Sequence, residues 1–347
     1  MIVDLRSDTL TRPSREMLDA MMTARVGDDV FGEDDTVKAL EQQIATMFGM
    51  ETALFCPSGT MANQIAIKCL TNPMEELITD QTAHVYRSES GGIPFHSAVS
   101  VRTLRGERGK ITPALIAPEI NADSITAPRT SLVVLENTVN WGGGSYYTLA
   151  EISEIAALCR NSALKLHLDG ARIFNALTET GDLTINYGQF FDTISVCLSK
   201  GLGAPVGSVL MGNGELIKKA RKIRKVMGGG MRQAGFLAAA GIYALDHNIG
   251  KLKADHHHAR QLASALKGQY YVKSVMPVDT NIVIFEVAEN YQTATLIRQL
   301  DQHGVKCLEF GKQRIRFVTY LDITQEMIDE VIMVLNKLQL AEKSSGG

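Results

Sequence analysis

The chain is poor in aromatic residues, in proline and in any sign of paired cysteines. Aromatics make up 6% of its 347 residues, with a single tryptophan and nine prolines. No Cys-x-x-Cys motif occurs, and Cys56, Cys69, Cys159, Cys197 and Cys307 are not spaced as a disulfide framework. Four of them lie in apolar stretches and read as small buried residues of a protein in a reducing compartment. No apolar run is long enough to span a bilayer, and Met1-Ile2-Val3-Asp4 does not read as a signal peptide, so a cytoplasmic protein is expected. A surplus of one charge is missing too. With 35 Lys+Arg against 38 Asp+Glu the net charge is -3, and no basic face dominates that would suit nucleic acid or an anionic membrane. What is present is a 45% hydrophobic, globular composition, enough for one large core and a smaller one.

The most informative run is Ser195-Val-Cys-Leu-Ser-Lys200-Gly-Leu-Gly-Ala-Pro-Val-Gly-Ser208, in which an apolar strand delivers a lone lysine to a glycine-rich turn. Desolvation at such a place favours the neutral amine, the form that attacks a carbonyl, and pyridoxal phosphate is the first cofactor to consider. An ordinary lysine opening a solvated loop has the same local sequence, so the other parts of a site decide. His167-Leu168-Asp169-Gly170-Ala171-Arg172 follows the strand-like Leu164-Lys165-Leu166 and puts Asp169 at the end of a neighbouring strand. There an anion can keep a pyridine nitrogen protonated. Pro57-Ser58-Gly59-Thr60-Met61-Ala62-Asn63 lies between apolar Thr52–Cys56 and a helical stretch to about Leu70, and its free N–H groups and hydroxyls suit a phosphate monoester. His84, in Thr82-Ala83-His84-Val85-Tyr86-Arg87, offers a flat ring for stacking on the pyridine.

In this order, with Glu136-Asn137-Thr138 and Gly228-Gly229-Gly230-Met231-Arg232-Gln233-Ala234-Gly235, the motifs resemble the low-specificity L-threonine aldolases. These belong to the threonine aldolase and β-eliminating lyase group of fold-type I pyridoxal enzymes. The resemblance runs from Asp4-Leu5-Arg6-Ser7-Asp8-Thr9 to Arg314-Ile315-Arg316-Phe317-Val318-Thr319, nearly the whole chain. It implies an α/β fold of the aspartate aminotransferase type, with a large domain built on a mostly parallel sheet and a small α+β C-terminal domain. It implies Lys200 as the covalent carrier of pyridoxal 5'-phosphate, Asp169 at the pyridine nitrogen, His84 on the ring face, and Ser58, Gly59 and Thr60 at the phosphate. Arg232 is implied to reach the phosphate of a neighbouring subunit, in a homotetramer built from dimers with shared sites. Ser7, Arg172 and Arg316 match the group that binds the substrate carboxylate, a task for which guanidinium forks are suited. The activity implied is retro-aldol cleavage of L-threonine, L-allo-threonine or related β-hydroxy-α-amino acids to glycine and an aldehyde, with Lys200, His84 and Asp169 catalytic.

Apolar runs alternate with amphipathic windows, the pattern of a wound parallel sheet. Residues 1–250 are read as the large cofactor-binding domain, 251–340 as the small domain and 341–347 as a disordered tail. Val37, Leu40, Ile44 and Met47 mark a helix after the acidic cap Asp34-Asp35-Thr36, and Ile152, Ile155, Ala156 and Cys159 line another. The basic cluster from Lys218 to Lys225 reads as a solvated helix face, with Lys225 near the glycine turn as a candidate for an interface or phosphate-steering role. Adjacent histidines in Asp255-His256-His257-His258 point different ways on a helix, so no metal site is expected. Asn140-Trp141-Gly142-Gly143-Gly144 reads as a flexible turn near the site.

Departures from the family pattern cluster where the substrate's β-carbon is expected. Val139 stands in place of a histidine, Phe31 of a tyrosine, Ser88 of an aromatic and Tyr320 of a histidine. His84, or a water it orders, is then the expected base, and a β-substituent larger than methyl is expected to fit better. Three alternatives use the same cofactor: a β-eliminating lyase, an aminotransferase and a pyridoxal-binding regulator domain. The regulator usually carries an added DNA-binding domain, whereas family-like residues begin here at Asp4.

Overall fold

The structure is a computed structural model that describes residues 1–122 and 124–340; the tail expected to be disordered, 341–347, lies outside the described residues. A seven-stranded sheet runs in the order Thr52–Cys56, Ser208–Gly212, Thr193–Cys197, Lys165–Gly170, Thr130–Glu136, Glu76–Asp80, Ser100–Leu104. From Thr193–Cys197 to Ser100–Leu104 the strands are parallel. The central strands Thr130–Glu136 and Thr193–Cys197 are buried along their whole length, as strands covered on both faces must be.

Ser208–Gly212 runs antiparallel to both its neighbours. The loop 198–207 that leads into it is shorter than the roughly dozen residues a parallel crossover needs, so the chain doubles back. That reversal turns the run after Cys197 into a tight loop at the carboxyl edge of the sheet, and Lys200 lies on it.

The helices follow the sequence pattern closely. Asp34 caps the helix Asp35–Phe48 by accepting from Val37 N at 3.0 Å, and Val37, Leu40 and Ile44 are buried. Thr148 and Glu151 close a reciprocal capping box on Leu149–Asn161, whose buried face is Ile152, Ile155, Ala156 and Cys159. The basic helix Gly214–Val226 departs from the expected solvated face at Arg224, which is 2% exposed and donates to Asp29 Oδ2 and to Phe55 O, 2.6 Å each.

A second sheet, antiparallel, runs in the order Leu308–Glu309, Arg314–Val318, Ile282–Val287, Val272–Val275. Its core gathers Val283, Phe285 and Phe317 with Leu262 and Leu266 of helix Leu252–Lys267 and Val331 and Leu335 of helix Gln325–Lys337. Val3 and Leu5 belong to the same core, because Val3–Asp4 pairs in parallel with Val305–Lys306. The chain's first residues are thereby tied to its last third, and Ser7 and Asp8 are carried to the junction of the two cores. Among the described residues no helix is long and apolar enough to cross a membrane.

Candidate functional site

Open α/β sheets bind ligands beyond the carboxyl ends of their strands. In register there, Glu136 lies opposite Asp169 and Asp169 opposite Ser195. The turn carrying Lys200 is closed by Gly203 N donating to Lys200 O at 2.8 Å and Leu198 N donating to Gly207 O at 3.0 Å. Gly207 has φ +123°, and a Cβ there would sit 2.6 Å from Phe55 Cε2, so glycine is required for the loop to return over the sheet. Lys200 is half-buried.

The helix Gly59–Leu70 starts at the same edge. Ser58 caps it, accepting from Met61 N at 3.2 Å, and its first N–H groups have no partner within the helix. A Cβ on Gly59 would lie 2.6 Å from Cys197 Sγ, so only glycine lets this helix start rest on the neighbouring strand. A cavity of about 130 Å³ is lined by Gly59, Thr60, Asn63, His84, Asp169 and Lys200, among others. An amine, a carboxylate, an imidazole and a helix N-terminus thus converge on one space. These are the groups that a carbonyl carbon, a pyridine nitrogen, a ring face and a phosphate require, so the residues present fit pyridoxal phosphate.

Asn63 ties the acids of the cavity together. Its Nδ2 donates to Asp169 Oδ2 and to Glu89 Oε1, 2.9 Å each, and its Oδ1 accepts from Ser195 Oγ at 2.7 Å. His167 Nε2 lies 3.2 Å from the same Oδ1, and burial pushes its pKa down to about 4, so this ring is neutral. Glu89, with a fully buried side chain, also accepts from Gln64 Nε2 at 2.6 Å and holds His84 Nδ1 at 2.9 Å. A carboxylate only accepts, so His84 Nδ1 carries the proton and Nε2 is the acceptor of the neutral ring. Burial works against the charged imidazole, but the Glu89 hydrogen bond and the charges of Asp169, Glu89 and Glu136 outweigh it and raise its pKa above the ordinary 6.5. Burial and then the charge of Asp169 push Glu136 up to about 7, against backbone N–H donors from Asn140 and His84 at 2.9 Å.

Beside the cavity lie two buried arginines and one carboxylate. Arg172 grips Asp8 through Nε to Oδ2 at 2.6 Å and Nη2 to Oδ1 at 2.7 Å, a fork that leaves Nη1 free of that contact. Arg316 donates from Nη1 to Asn140 Oδ1 at 2.7 Å and from Nη2 to Arg6 O at 3.0 Å, while its buried Nε has no hydrogen-bond partner among the described residues. Burial and the positive charge of Arg172 push Arg316 down to about 10, with Asp8 only partly offsetting them. Two guanidinium groups sharing one carboxylate make a site short of negative charge, which fits a substrate carboxylate. Ser7 lies in the chain between Arg6, whose carbonyl Arg316 meets, and Asp8, which Arg172 grips, and its hydroxyl accepts from Thr9 N at 3.2 Å.

Arg232 does not line its own chain's cavity. It is exposed, pairs with Asp28 at 2.8 Å and lies 5.6 Å from the centroid of the Phe31 ring. Of the positions that depart from the family pattern, Val139 is 1% exposed in the main core, Tyr320 packs in the second core with its hydroxyl donating to Asp4 O at 2.9 Å, and Phe31 and Ser88 are exposed. None of the four lines the cavity. The ligand atoms of His84, Glu89 and Asp169 lie within 4.8 Å of one another, a spacing a metal could use, but they are the hydrogen-bonded groups of the cavity just described. In the Asp255–His258 run the side chains diverge: Asp255 and His256 are buried, His257 is exposed, and His256 bonds to Glu179 and Asn175. Sequence reasoning did not assign Asp8, Asn63, Glu89, Glu136 or Asn140 to the site. Asp8, Asn63 and Glu136 stand inside the motifs that carried the resemblance, and that was the signal available.

The beta-eliminating lyase family model matches residues 4–290. The low specificity L-threonine aldolase of Escherichia coli K12 is 42% identical over 331 residues, covering 95% of this chain and 97% of the relative. The low-specificity L-threonine aldolase of Saccharomyces cerevisiae is 38% identical over 341 residues, covering 96% and 86%. Among solved structures, the threonine aldolase of Leishmania major superposes with a TM-score of 0.84 at 23% identity, covering 96% of this chain and 98% of that one. The serine palmitoyltransferase of Sphingomonas wittichii, at 16% identity, covering 96% and 86%, has a TM-score of 0.75 and shares the fold alone. With its cavity and its relatives in agreement, this chain belongs to the pyridoxal phosphate-dependent beta-eliminating lyase family, alongside the low-specificity L-threonine aldolases.

Proposed function

We propose that the protein cleaves L-threonine, L-allo-threonine and related β-hydroxy-α-amino acids to glycine and an aldehyde. The observation that carries this reading is the convergence of Lys200, Asp169, His84 and the helix start at Gly59 on one cavity, with the Arg172–Asp8–Arg316 cluster at its side. When bound, pyridoxal phosphate supplies an electron sink for the pair released as the Cα–Cβ bond breaks. Lys200 would hold the cofactor through its amine, Asp169 would keep the ring nitrogen protonated, and Ser58, Gly59 and Thr60 would hold the phosphate. Arg172 and Arg316, with Ser7, would bind the substrate carboxylate and so fix the orientation of the amino acid beside the cavity. His84 Nε2 takes the β-hydroxyl proton, with Glu89 fixing the ring at Nδ1.

Among the described residues lining the cavity His84 is the imidazole, so it is assigned as the base, and we infer that β-substituents larger than methyl are accepted. Turnover of phenylserine against threonine tests this, and a strong preference for threonine refutes it. Arg232, exposed beside Phe31, is assigned to the phosphate of a neighbouring subunit in a homotetramer. Mixed dimers of Lys200→Ala and Arg232→Ala subunits then regain activity, and verified mixed dimers without recovery refute shared sites. The free, buried cysteines suit a reducing cytoplasm.

The reaction is tested by product analysis from both threonine diastereomers. Acetaldehyde and glycine in equal amounts, absent with Lys200→Ala, support the aldolase. A keto acid with ammonia identifies a β-eliminating lyase instead, and conversion of the cofactor to its amino form without aldehyde identifies an aminotransferase.

A further inference from the structure

Trp141, the single tryptophan of the chain, lies in a four-layer stack at the side of the carboxylate cluster. Its ring is 4.0 Å from that of Phe310 at 25°. The Arg87 guanidinium carbon sits over the Trp141 ring, 4.0 Å from its centroid, and that of Arg316 sits over the Phe310 ring, 4.4 Å from its centroid. The row therefore joins the short helix His84–Arg87, the loop after Glu136, the turn at 310–313 and the strand Arg314–Val318. Two of these segments carry His84 and Arg316.

The loop that holds Trp141 is clamped rather than flexible. Arg108 donates to Gly142 O from Nε at 3.1 Å and from Nη2 at 2.9 Å, and it pairs with Asp279 at 2.7 Å. From the segment just before strand Ile282–Val287, Thr280 Oγ1 donates to Gly144 O at 3.0 Å. A Cβ on Gly142 would fall 2.1 Å from Arg108 O and one on Gly144 2.2 Å from Thr280 Oγ1, so the glycines serve close packing. Gly311, beside Phe310, takes φ +89°, a conformation that favours glycine, and a Cβ there would lie 3.0 Å from Arg314 Nη2 and in ordinary contact with Trp141 Cζ3 at 3.4 Å.

We propose that Trp141, by backing Phe310, is a positioning residue that holds the Arg316 guanidinium edge-on to the substrate carboxylate and so sets affinity for amino acids through that group. The physical reason is geometric. A guanidinium lying flat on an aromatic face keeps its N–H edges free in its own plane, where a carboxylate is bound. Arg316 also meets Asn140 Oδ1, the residue before Trp141, so the same clamped loop fixes both an edge and, through Phe310, the face of the arginine. The inference rests on reading Arg316 as the carboxylate-binding residue.

The test compares glycine with ethanolamine, which has an amine but no carboxylate, as ligands of the holoenzyme, followed by the change in cofactor absorbance. In Trp141→Ala, glycine affinity is expected to fall about ten-fold, ethanolamine affinity to stay within about two-fold, and KM for L-threonine to rise by more than kcat falls. Trp141→Phe is expected to restore most of the glycine affinity. Equal weakening of both ligands, or no change in either, overturns the proposal. Should Trp141→Ala not fold, Phe310→Leu removes the aromatic face beneath Arg316 and is judged by the same comparison. Arg316→Ala separates the two readings: if it leaves glycine binding intact, the role of Arg316 has failed and the proposal with it. If the wild type cleaves no hydroxy amino acid, the aldolase reading fails while the ligand comparison still decides the role of Trp141.

Discussion

Asn63 Nδ2 lies 2.9 Å from Asp169 Oδ2 and spends its other hydrogen on Glu89 Oε1. One amide thereby spaces the acid assigned to the cofactor nitrogen from the acid that holds His84. Removing it leaves two buried carboxylates without a shared donor and Ser195 without its acceptor. Unsatisfied buried groups cost about 1–3 kcal/mol each, so Asn63→Ala is expected to weaken pyridoxal phosphate binding about ten-fold or more. Titration of the apoprotein with cofactor checks it; unchanged affinity contradicts the spacing role.

The pH profile follows from His84 and Glu89. The hydrogen bond to Glu89 and the surrounding negative charge raise the imidazole above 6.5, and a base must be deprotonated to work. The acid limb of kcat/KM is therefore expected above pH 6.5. In Glu89→Gln the amide oxygen can still accept from His84 Nδ1, but the negative charge that favours the imidazolium is gone while burial remains, so the limb moves to lower pH and the plateau drops. A limb that moves to higher pH contradicts the assignment of His84 as base.

Arg316→Lys keeps the charge and loses the planar fork. KM for L-threonine is expected to rise about thirty-fold, the equivalent of about 2 kcal/mol, with kcat less affected. Steady-state kinetics measure it, and a KM within two-fold of wild type excludes Arg316 from the carboxylate site.

Asp255 sets a stability trend of its own. It is 2% exposed, its Oδ2 has no hydrogen-bond partner among the described residues, and burial, with Asp8 and Asp322 nearby, pushes its pKa up to about 8. A carboxyl whose folded pKa is raised binds its proton more tightly in the native state, so stability falls as pH rises from the ordinary carboxyl range towards 8. Asp255→Asn removes that titration. Its stability advantage over wild type is expected to be about 3 kcal/mol larger at pH 9 than at pH 6, since the penalty grows by about 1.4 kcal/mol per unit up to the folded pKa. Denaturant melts at the two pH values decide it; an advantage that does not grow with pH refutes the trend.

What was legible in the sequence is what lies close together along it. Lys200 and Asp169 stand out because apolar strands end beside them, and Gly59 because small residues open a helix there. The reversal of Ser208–Gly212 was available only from the length of loop 198–207. Strand Glu76–Asp80 escapes an apolar pattern because it opens with Glu76, a buried acid matched by Arg102 Nε at 2.9 Å and Asn121 Nδ2 at 3.1 Å from distant segments. The fork of Arg172 on Asp8 joins positions 164 residues apart in sequence, and the Trp141 stack joins separate loops. Such contacts depend on the fold and leave no local spacing to read. The glycine run after Trp141 suggests flexibility in sequence, yet it serves close packing in the structure.

Lys200 is assigned as the residue that carries the cofactor in this cavity. Borohydride reduction of the holoenzyme fixes a carbonyl cofactor to the amine that holds it, and peptide mapping then locates the added mass. The added mass is expected on Lys200 and is expected to be lost in Lys200→Ala. Label on another lysine, or none in a protein saturated with pyridoxal phosphate, contradicts it.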